Sequence, residues 1–247
     1  MNKSVLAIAA TLAFSALPTL VQAEEAASPL SFNVGVFSDY RYRGISQTRL
    51  QPAVQAGVDY ALPAGFYIGA WGSNIKWIKD AGGDANVELD LYGGYKGEIS
   101  KDVTYDVGFL RYQYVRNHLA TSANTNEIYG AVTFGPATVK YSHSVTNLFG
   151  FADSKNSGYL DLSASFDVGS GVMLAPHLGY QRVAGNTDFS YTDYSLTASY
   201  DYQGFVFSGA VVGATTKSIN GVKAYASPAN GKDLGKVGLV VGVKKTF

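Results

Sequence analysis

The sequence predicts an all-β protein: a transmembrane antiparallel up-and-down β-barrel of about 12 strands, with short periplasmic turns and longer extracellular loops. Three observations predict it. Apolar and polar residues alternate at period two through segment after segment, which is the mark of a strand with one apolar and one polar face. The connections between these segments alternate strictly between short and long. Only 15% of residues are charged while 13% are aromatic, with 18 tyrosines, against about 25% charged in ordinary soluble domains. The chain has no cysteine, which excludes disulfide frameworks and thiolate metal sites.

The elements follow in order. Asn2-Lys3, an apolar run from Val5 to Leu20 and the small-residue site Val21-Gln22-Ala23 read as a secretory signal peptide over residues 1–23. Residues 24–247 form a single barrel domain. With Lys3 removed, its acids outnumber its bases by one, so no basic face recruits nucleic acid. Beyond Ala23 no apolar run approaches the roughly 18 residues of a membrane helix. The first strand sets Leu30, Phe32, Val34, Val36, Tyr40 and Tyr42 against Asn33, Gly35, Asp39, Arg41 and Arg43. Strands around Val54–Leu62, Phe66–Trp77, Val87–Ile99, Val103–Arg116, Glu127–Phe134, Ala137–Val145, Tyr159–Val168, Val172–Arg182, Tyr191–Tyr202 and Phe205–Thr216 continue the rhythm. Short turns fall at 63–65, 100–102, 135–136, 169–171 and 203–204. Long loops fall at 44–50, 79–86, 117–126, 146–157, 183–190 and 217–234. The last strand places Val237, Leu239, Val241, Val243 and Phe247 on one face and Lys236, Gly242, Lys244 and Thr246 on the other. Alternating apolar residues ending on an aromatic resemble the closing strand of bacterial outer-membrane barrels, with Lys245 departing from the pattern. That resemblance implies pairing with the first strand and recognition of Phe247 by the barrel-assembly machinery.

Aromatics sort by height. Tyr60, Phe66, Tyr105, Phe134, Phe166, Tyr200, Tyr202, Phe205, Phe207 and Phe247 lie beside short turns. Tyr40, Tyr42, Trp77, Tyr112, Tyr114, Tyr180 and Tyr194 lie near long loops. Two such belts match the two interfaces of a bilayer. The apolar phase slips within Val103–Arg116 and within Phe66–Trp77, which predicts a β-bulge in each, the first near Phe109. Pro176 predicts an irregularity in its ladder.

Ser38-Asp39-Tyr40-Arg41-Tyr42-Arg43-Gly44-Ile45-Ser46-Gln47-Thr48, with Gly65-Phe66-Tyr67-Ile68-Gly69-Ala70-Trp71-Gly72-Ser73-Asn74 downstream, resembles the TorF family of porins. The resemblance implies an outer-membrane channel and brings no catalytic residue. Alternation puts Asp39, Arg41, Arg43, Asp59, Asp106, Lys140, Asp167 and Asp201 inward, and Arg111 joins them if the bulge near Phe109 forms. These nine residues are the candidate pore lining. A soluble core does not hold so many charges, whereas a water-filled lumen does. The expected function is passive diffusion of small hydrophilic solutes, anionic ones favoured by a basic zone of Arg41, Arg43, Arg111 and Lys140 above an acidic short-turn mouth. The expected surroundings are outer-membrane lipid and the solutes, with no cofactor or metal. A closed barrel working through its loops is the alternative. A barrel hydrolase built on Tyr141-Ser142-His143-Ser144 is disfavoured, because Ser163 and Ser165 face away from His143.

Overall fold

The computed structural model describes residues 28–247; the expected signal peptide lies outside the described residues. No helix among the described residues is long and apolar enough to cross a membrane, a statement that leaves strands untouched. The chain crosses instead with twelve strands: β1 Leu30–Phe37, β2 Ala53–Ala61, β3 Phe66–Asn74, β4 Val87–Ser100, β5 Val103–Gln113, β6 Thr125–Phe134, β7 Ala137–Ser144, β8 Gly158–Ala164 resuming at Phe166–Asp167, β9 Val172–Arg182, β10 Tyr191–Tyr202, β11 Phe205–Thr215 and β12 Gly238–Thr246. Each pairs antiparallel with its sequence neighbours, and β12 pairs with β1, so the sheet closes on itself without an edge. The closing register sets Asn33 opposite Thr246 and Phe37 opposite Gly242. Beyond it, the backbones of Phe32 and Phe247 exchange two hydrogen bonds, of 3.1 and 2.8 Å.

Alternation dictates facing, as expected. Val34, Val54, Ile68, Leu91, Val107, Val132, Leu162, Leu196 and Val211 are exposed on the outside, while Asn33, Gln55, Glu88, Asp90, Glu127, Asp161 and Asp193 are buried within. Five short turns gather at one end and six long connections at the other. Gln203 and Gly204, with φ of 53° and 77°, form the two-residue turn whose positive φ values suit the twist of the flanking strands. Asp201 accepts a hydrogen bond from the Gly204 amide there.

Neither predicted bulge forms. The β4–β5 register is unbroken from Leu89–Gln113 to Glu98–Thr104 and shifts only at the turn, between Glu98 and Ser100. The β3 registers are continuous on both sides. Each phase slip has another cause, a hydrophobic cluster inside the long-loop end of the lumen. It unites Tyr40, Trp71, Ile75, Ile78, Leu110, Tyr112 and Tyr114, so apolar residues appear on the inner face without any change of phase. Pro176 does mark an irregularity. Ser163 pairs with His177 and Phe166 with Leu174, which puts Ala164 opposite Pro176, beside the break in β8 at Ser165. The missing amide of proline removes a ladder donor at that point.

The short-turn belt stands, with Tyr60, Phe66, Phe134, Phe166, Tyr200, Tyr202, Phe205, Phe207 and Phe247 all exposed. At the long-loop end the outward aromatics are Tyr141, Tyr180 and Tyr194. Tyr40, Tyr112 and Tyr114 are buried, and Tyr42 and Trp77 pack against their cluster. Lys245 turns out of the barrel and lays its ammonium 4.0 Å from the Phe205 ring centroid.

Candidate functional site

The site is the lumen, and the first long loop decides its shape. The expected first strand stops at Phe37 rather than running on to Arg43. Arg41–Tyr42 and Ile45–Ser46 then form a minute hairpin of their own. Its tip, Arg43-Gly44, has φ values of 46° and 78°. A side chain at Gly44 meets obstruction: its Cβ would sit 2.7 Å from Asp193 Cβ and 2.8 Å from the Gly213 carbonyl. The hairpin therefore does not stand out from the barrel. It crosses the lumen until its tip abuts the inner wall.

The polar side chains of this segment are bonded both to one another and to other strands and loops. Tyr40 donates to Glu88 of β4 at 2.6 Å, and its ring meets Trp71 of β3 edge-on at 5.4 Å. Asp39 accepts from Arg41, Ser46 and Thr48, which holds the base of the hairpin. Arg41 also donates to the carbonyls of Gly44, Leu234 and Lys236, tying the segment to the loop before β12. Tyr42 shares a hydrogen bond with Tyr112 of β5 at 2.7 Å. Arg43 reaches the far wall. It donates to both carboxylate oxygens of Glu127 on β6, at 3.1 and 2.7 Å, and to Gln181 on β9 at 2.6 Å. Its guanidinium stands 4.1 Å from the Tyr159 ring centroid and 4.8 Å from that of Tyr42. The Arg43–Glu127 pair is 4% and 2% exposed, a bidentate, fully enclosed arrangement of the strong kind. Beneath it lies a cavity of about 30 Å³ lined by Asp90, Tyr112, Lys140, Ser142, Tyr159 and Asp161 among others, room for water.

Toward the short turns the lumen is lined differently. Tyr92 donates to Asp59 at 2.5 Å and Tyr67 to Asp106 at 2.6 Å; Tyr67 also shares a hydrogen bond with Tyr129. Glycines make the space for these rings: a Cβ at Gly108 would come 2.5 Å from the Tyr129 hydroxyl, and one at Gly94 as near that of Tyr67. Lys96 lies 3.9 Å from Asp106. Lys140 stands 4.1 Å from the Tyr129 ring centroid and has no ion-pair partner among the described residues. Lys244 follows Val240 and Gly242 on the inner face of β12.

Of the nine candidates, then, Asp59, Asp106 and Lys140 sit on the wall of the short-turn half. Asp39, Arg41 and Arg43 lie in the crossing segment. Asp167 and Asp201 are exposed at the short-turn rim, accepting from turn amides of Gly169 and Gly204. Arg111 faces outward with Val107 and Phe109, bonded to Gln113 and Asn126; without the bulge it cannot turn inward. The charges are mixed in height: Lys96, Lys140 and Lys244 share the short-turn half with Asp59 and Asp106, Asp161 stands directly opposite Lys140, and Glu88, Asp90 and Asp193 lie toward the long loops. His177 lies 2.9 Å from Asp161 and 3.6 Å from Asp193. Trp71, Gln181 and Tyr159 escaped the sequence; the apolar Trp71 on a polar face was the available signal. His143 faces outward and contacts Tyr141 and Asn156, whereas Ser163 and Ser165 are buried inside.

An apolar exterior, a charged interior and complete closure define a porin-like β-barrel. The chain belongs to the family described as bacterial protein of unknown function (Gcw_chp), whose model matches residues 23–247. Its barrel is similar to a KdgM porin solved in complex with disordered oligogalacturonate, at TM-score 0.56 and 8% identity, covering 88% of this chain and 98% of that one. It is also similar to the NanC porin, at TM-score 0.54 and 10% identity, with the same coverage. These likenesses are of fold. No curated protein sequence matches the chain.

Proposed function

We propose that the protein is an outer-membrane channel through which small hydrophilic solutes diffuse passively, with residues 38–50 forming its constriction. One observation carries this: buried carboxylates, amides and lysines line the inside of a closed barrel whose outside is aliphatic, an arrangement suited to a water-filled path through lipid. Residues 38–48, part of the stretch that resembles TorF porins, build the constriction in this reading. On this account residues 1–23 direct export and are removed, and Phe247 is read by the assembly machinery. The long loops face outward from the cell. A non-enzymatic role is part of this reading, and the separation of His143 from the inner-face serines across the wall speaks against the barrel hydrolase.

The expected preference for anions takes a different basis. Arg41 and Arg43 are neutralised by Asp39 and Glu127, and Arg111 faces outward, so the preference falls to the lysines of the short-turn half, Lys140 and Lys244 foremost and Lys96 partly offset by Asp106. Planar-bilayer conductance of purified protein tests the whole reading. Discrete steps are expected, with a reversal potential in a salt gradient that moves toward cations when the three lysines become glutamine. A barrel that inserts and never conducts, even with residues 39–48 removed, refutes it. The latched segment favours one second reading, a closed barrel acting through its loops, and that same silence is its signature.

A further inference from the structure

Outside the lumen, the top of the membrane-facing wall is not uniform. On β12, β1, β2 and β4 the last outward residues before the long loops are apolar, Val237, Leu239, Val36, Val54 and Val87, all exposed; β3 ends on Asn74, whose amide is spent on the Val54 amide and the Pro52 carbonyl. On six of the seven strands from β5 to β11 they are polar or basic: Arg111, Asn126, His143, Arg182, Thr192 and Thr215; β8 ends on Gly158. Within this sector a groove of about 630 Å³ opens between β9, β10 and β11, lined by Tyr180, Arg182, Ser190, Thr192, Thr215 and Lys217 among others. Register fixes its height. Tyr180 stands opposite Thr192, and Thr192 opposite Thr215. One step lower Leu178 pairs with Tyr194, and two steps lower Leu196 pairs with Val211; all four are exposed to the lipid side.

Along β9 the outward side chains thus run Leu178, Tyr180, Arg182: aliphatic, then interfacial aromatic, then cation. That is the profile of a wall passing from acyl chains into the headgroup layer. We propose that this groove seats the phosphate of an anionic lipid headgroup in the outer leaflet, between Arg182 and Lys217. The proposal rests on the outer-membrane assignment above for the leaflet it names. Arg182 spends one nitrogen on the Asn156 carbonyl, 3.1 Å away, and its fork leaves further donors for a phosphate. Lys217 is paired at 3.1 Å with Asp188, a carboxylate at the groove edge that an arriving phosphate displaces. Thr192, Thr215 and Ser190 supply neutral hydroxyl donors. The space far exceeds an inorganic phosphate, and the exposed leucines below accept acyl chains, so the lipid rather than the free ion is the occupant. The charge pairing is that of the basic pockets which hold anionic headgroups at the cytoplasmic face of helical membrane proteins.

The experiment uses the folded barrel purified in detergent, mixed with phosphatidic acid or phosphatidylcholine and read by native mass spectrometry for retained lipid. Wild-type protein is expected to retain phosphatidic acid selectively. The double variant Arg182→Ser, Lys217→Ser should weaken retention by about thirtyfold, two cations at ~1 kcal/mol each. A control double variant, Lys101→Ser, Lys232→Ser, removes equal charge from the short-turn end and from the far end of the loop that carries Lys217, and should retain the lipid. Asp188→Asn should tighten binding. Heat-modifiable gel migration verifies that each variant is folded. Equal loss in both double variants, no loss in either, or equal retention of the two lipids overturns the site. So does competition by inorganic phosphate at the lipid's own concentration. Dimers that form only with Arg182 and Lys217 intact, and without lipid, would assign the groove to a second copy instead. Because lipid retention is measured on pure protein, it is independent of conductance: a silent channel that still binds leaves this site standing.

Discussion

Arg43 is the residue on which the closed lumen depends. Its charge is buried with that of Glu127, and each is accommodated only through the other. Deleting one partner of such a pair strands a charge away from water, at a cost of about 3–5 kcal/mol. Arg43→Ser should therefore lower the stability of the barrel by that order, read as urea unfolding in micelles. Adding Glu127→Gln should recover most of the loss, because the stranded carboxylate is gone. Additive losses in the double variant would show that the two side chains are not coupled. The inner tyrosines make a different point at the same scale. Their rings lie flat only because glycines such as Gly94 and Gly108 sit beneath them, which accounts for a chain rich in both residue types.

Among the elements, residues 38–50 stand apart from the strands that hold them. The segment uses carbonyls of Leu234 and Lys236, the hydroxyl of Tyr112 and the carboxylates of Glu88 and Glu127, yet no barrel ladder runs through it. The strands β1 and β2 pair directly with each other from Leu30–Tyr60 to Phe37–Ala53, so the barrel closes whether or not the segment is present. Replacing residues 39–48 by a short Gly-Ser linker should leave heat-modifiable migration intact and raise single-channel conductance several-fold. Unchanged conductance would place the narrowest point elsewhere, at the tyrosine and lysine zone nearer the short turns. The same segment explains the false bulges: Trp71, Leu110, Tyr112 and Tyr114 are apolar inward residues because they pack with Tyr40.

At the level of the whole molecule, closure and loop sorting fix an orientation. Both ends of the barrel, Leu30 and Thr246, lie on the short-turn side, since twelve is even. Long loops on the far side carry the length variation that bacterial barrels place outside the cell. An epitope inserted within 221–230 should be labelled on intact cells, while one at 169–171 should be reached only after the outer membrane is breached. The opposite accessibility would invert the barrel and move the groove at Arg182 to the inner leaflet.

What the sequence determined by itself was local in origin. Period two assigns each strand residue a face, and the alternation of short and long connections assigns each strand a direction. Together these yield the number of strands, the polar lumen and the short-turn aromatic belt, while the pairing of the last strand with the first was implied by the resemblance of the closing strand to those of outer-membrane barrels. What only the tertiary structure decided was who meets whom inside. Arg41 bonds carbonyls near residue 235, and Arg43 bonds Glu127 and Gln181, partners brought near only when a ring of twelve strands closes. A period-two pattern cannot tell a strand from an extended segment that folds into the ring, so Arg41 and Arg43 looked like wall. Nor can it tell a bulge from an inner apolar cluster, so Arg111 was placed inside. Both ambiguities have one cause: the lumen is a second environment, partly wet and partly packed, and its composition is set by long-range contact rather than by neighbours in the chain.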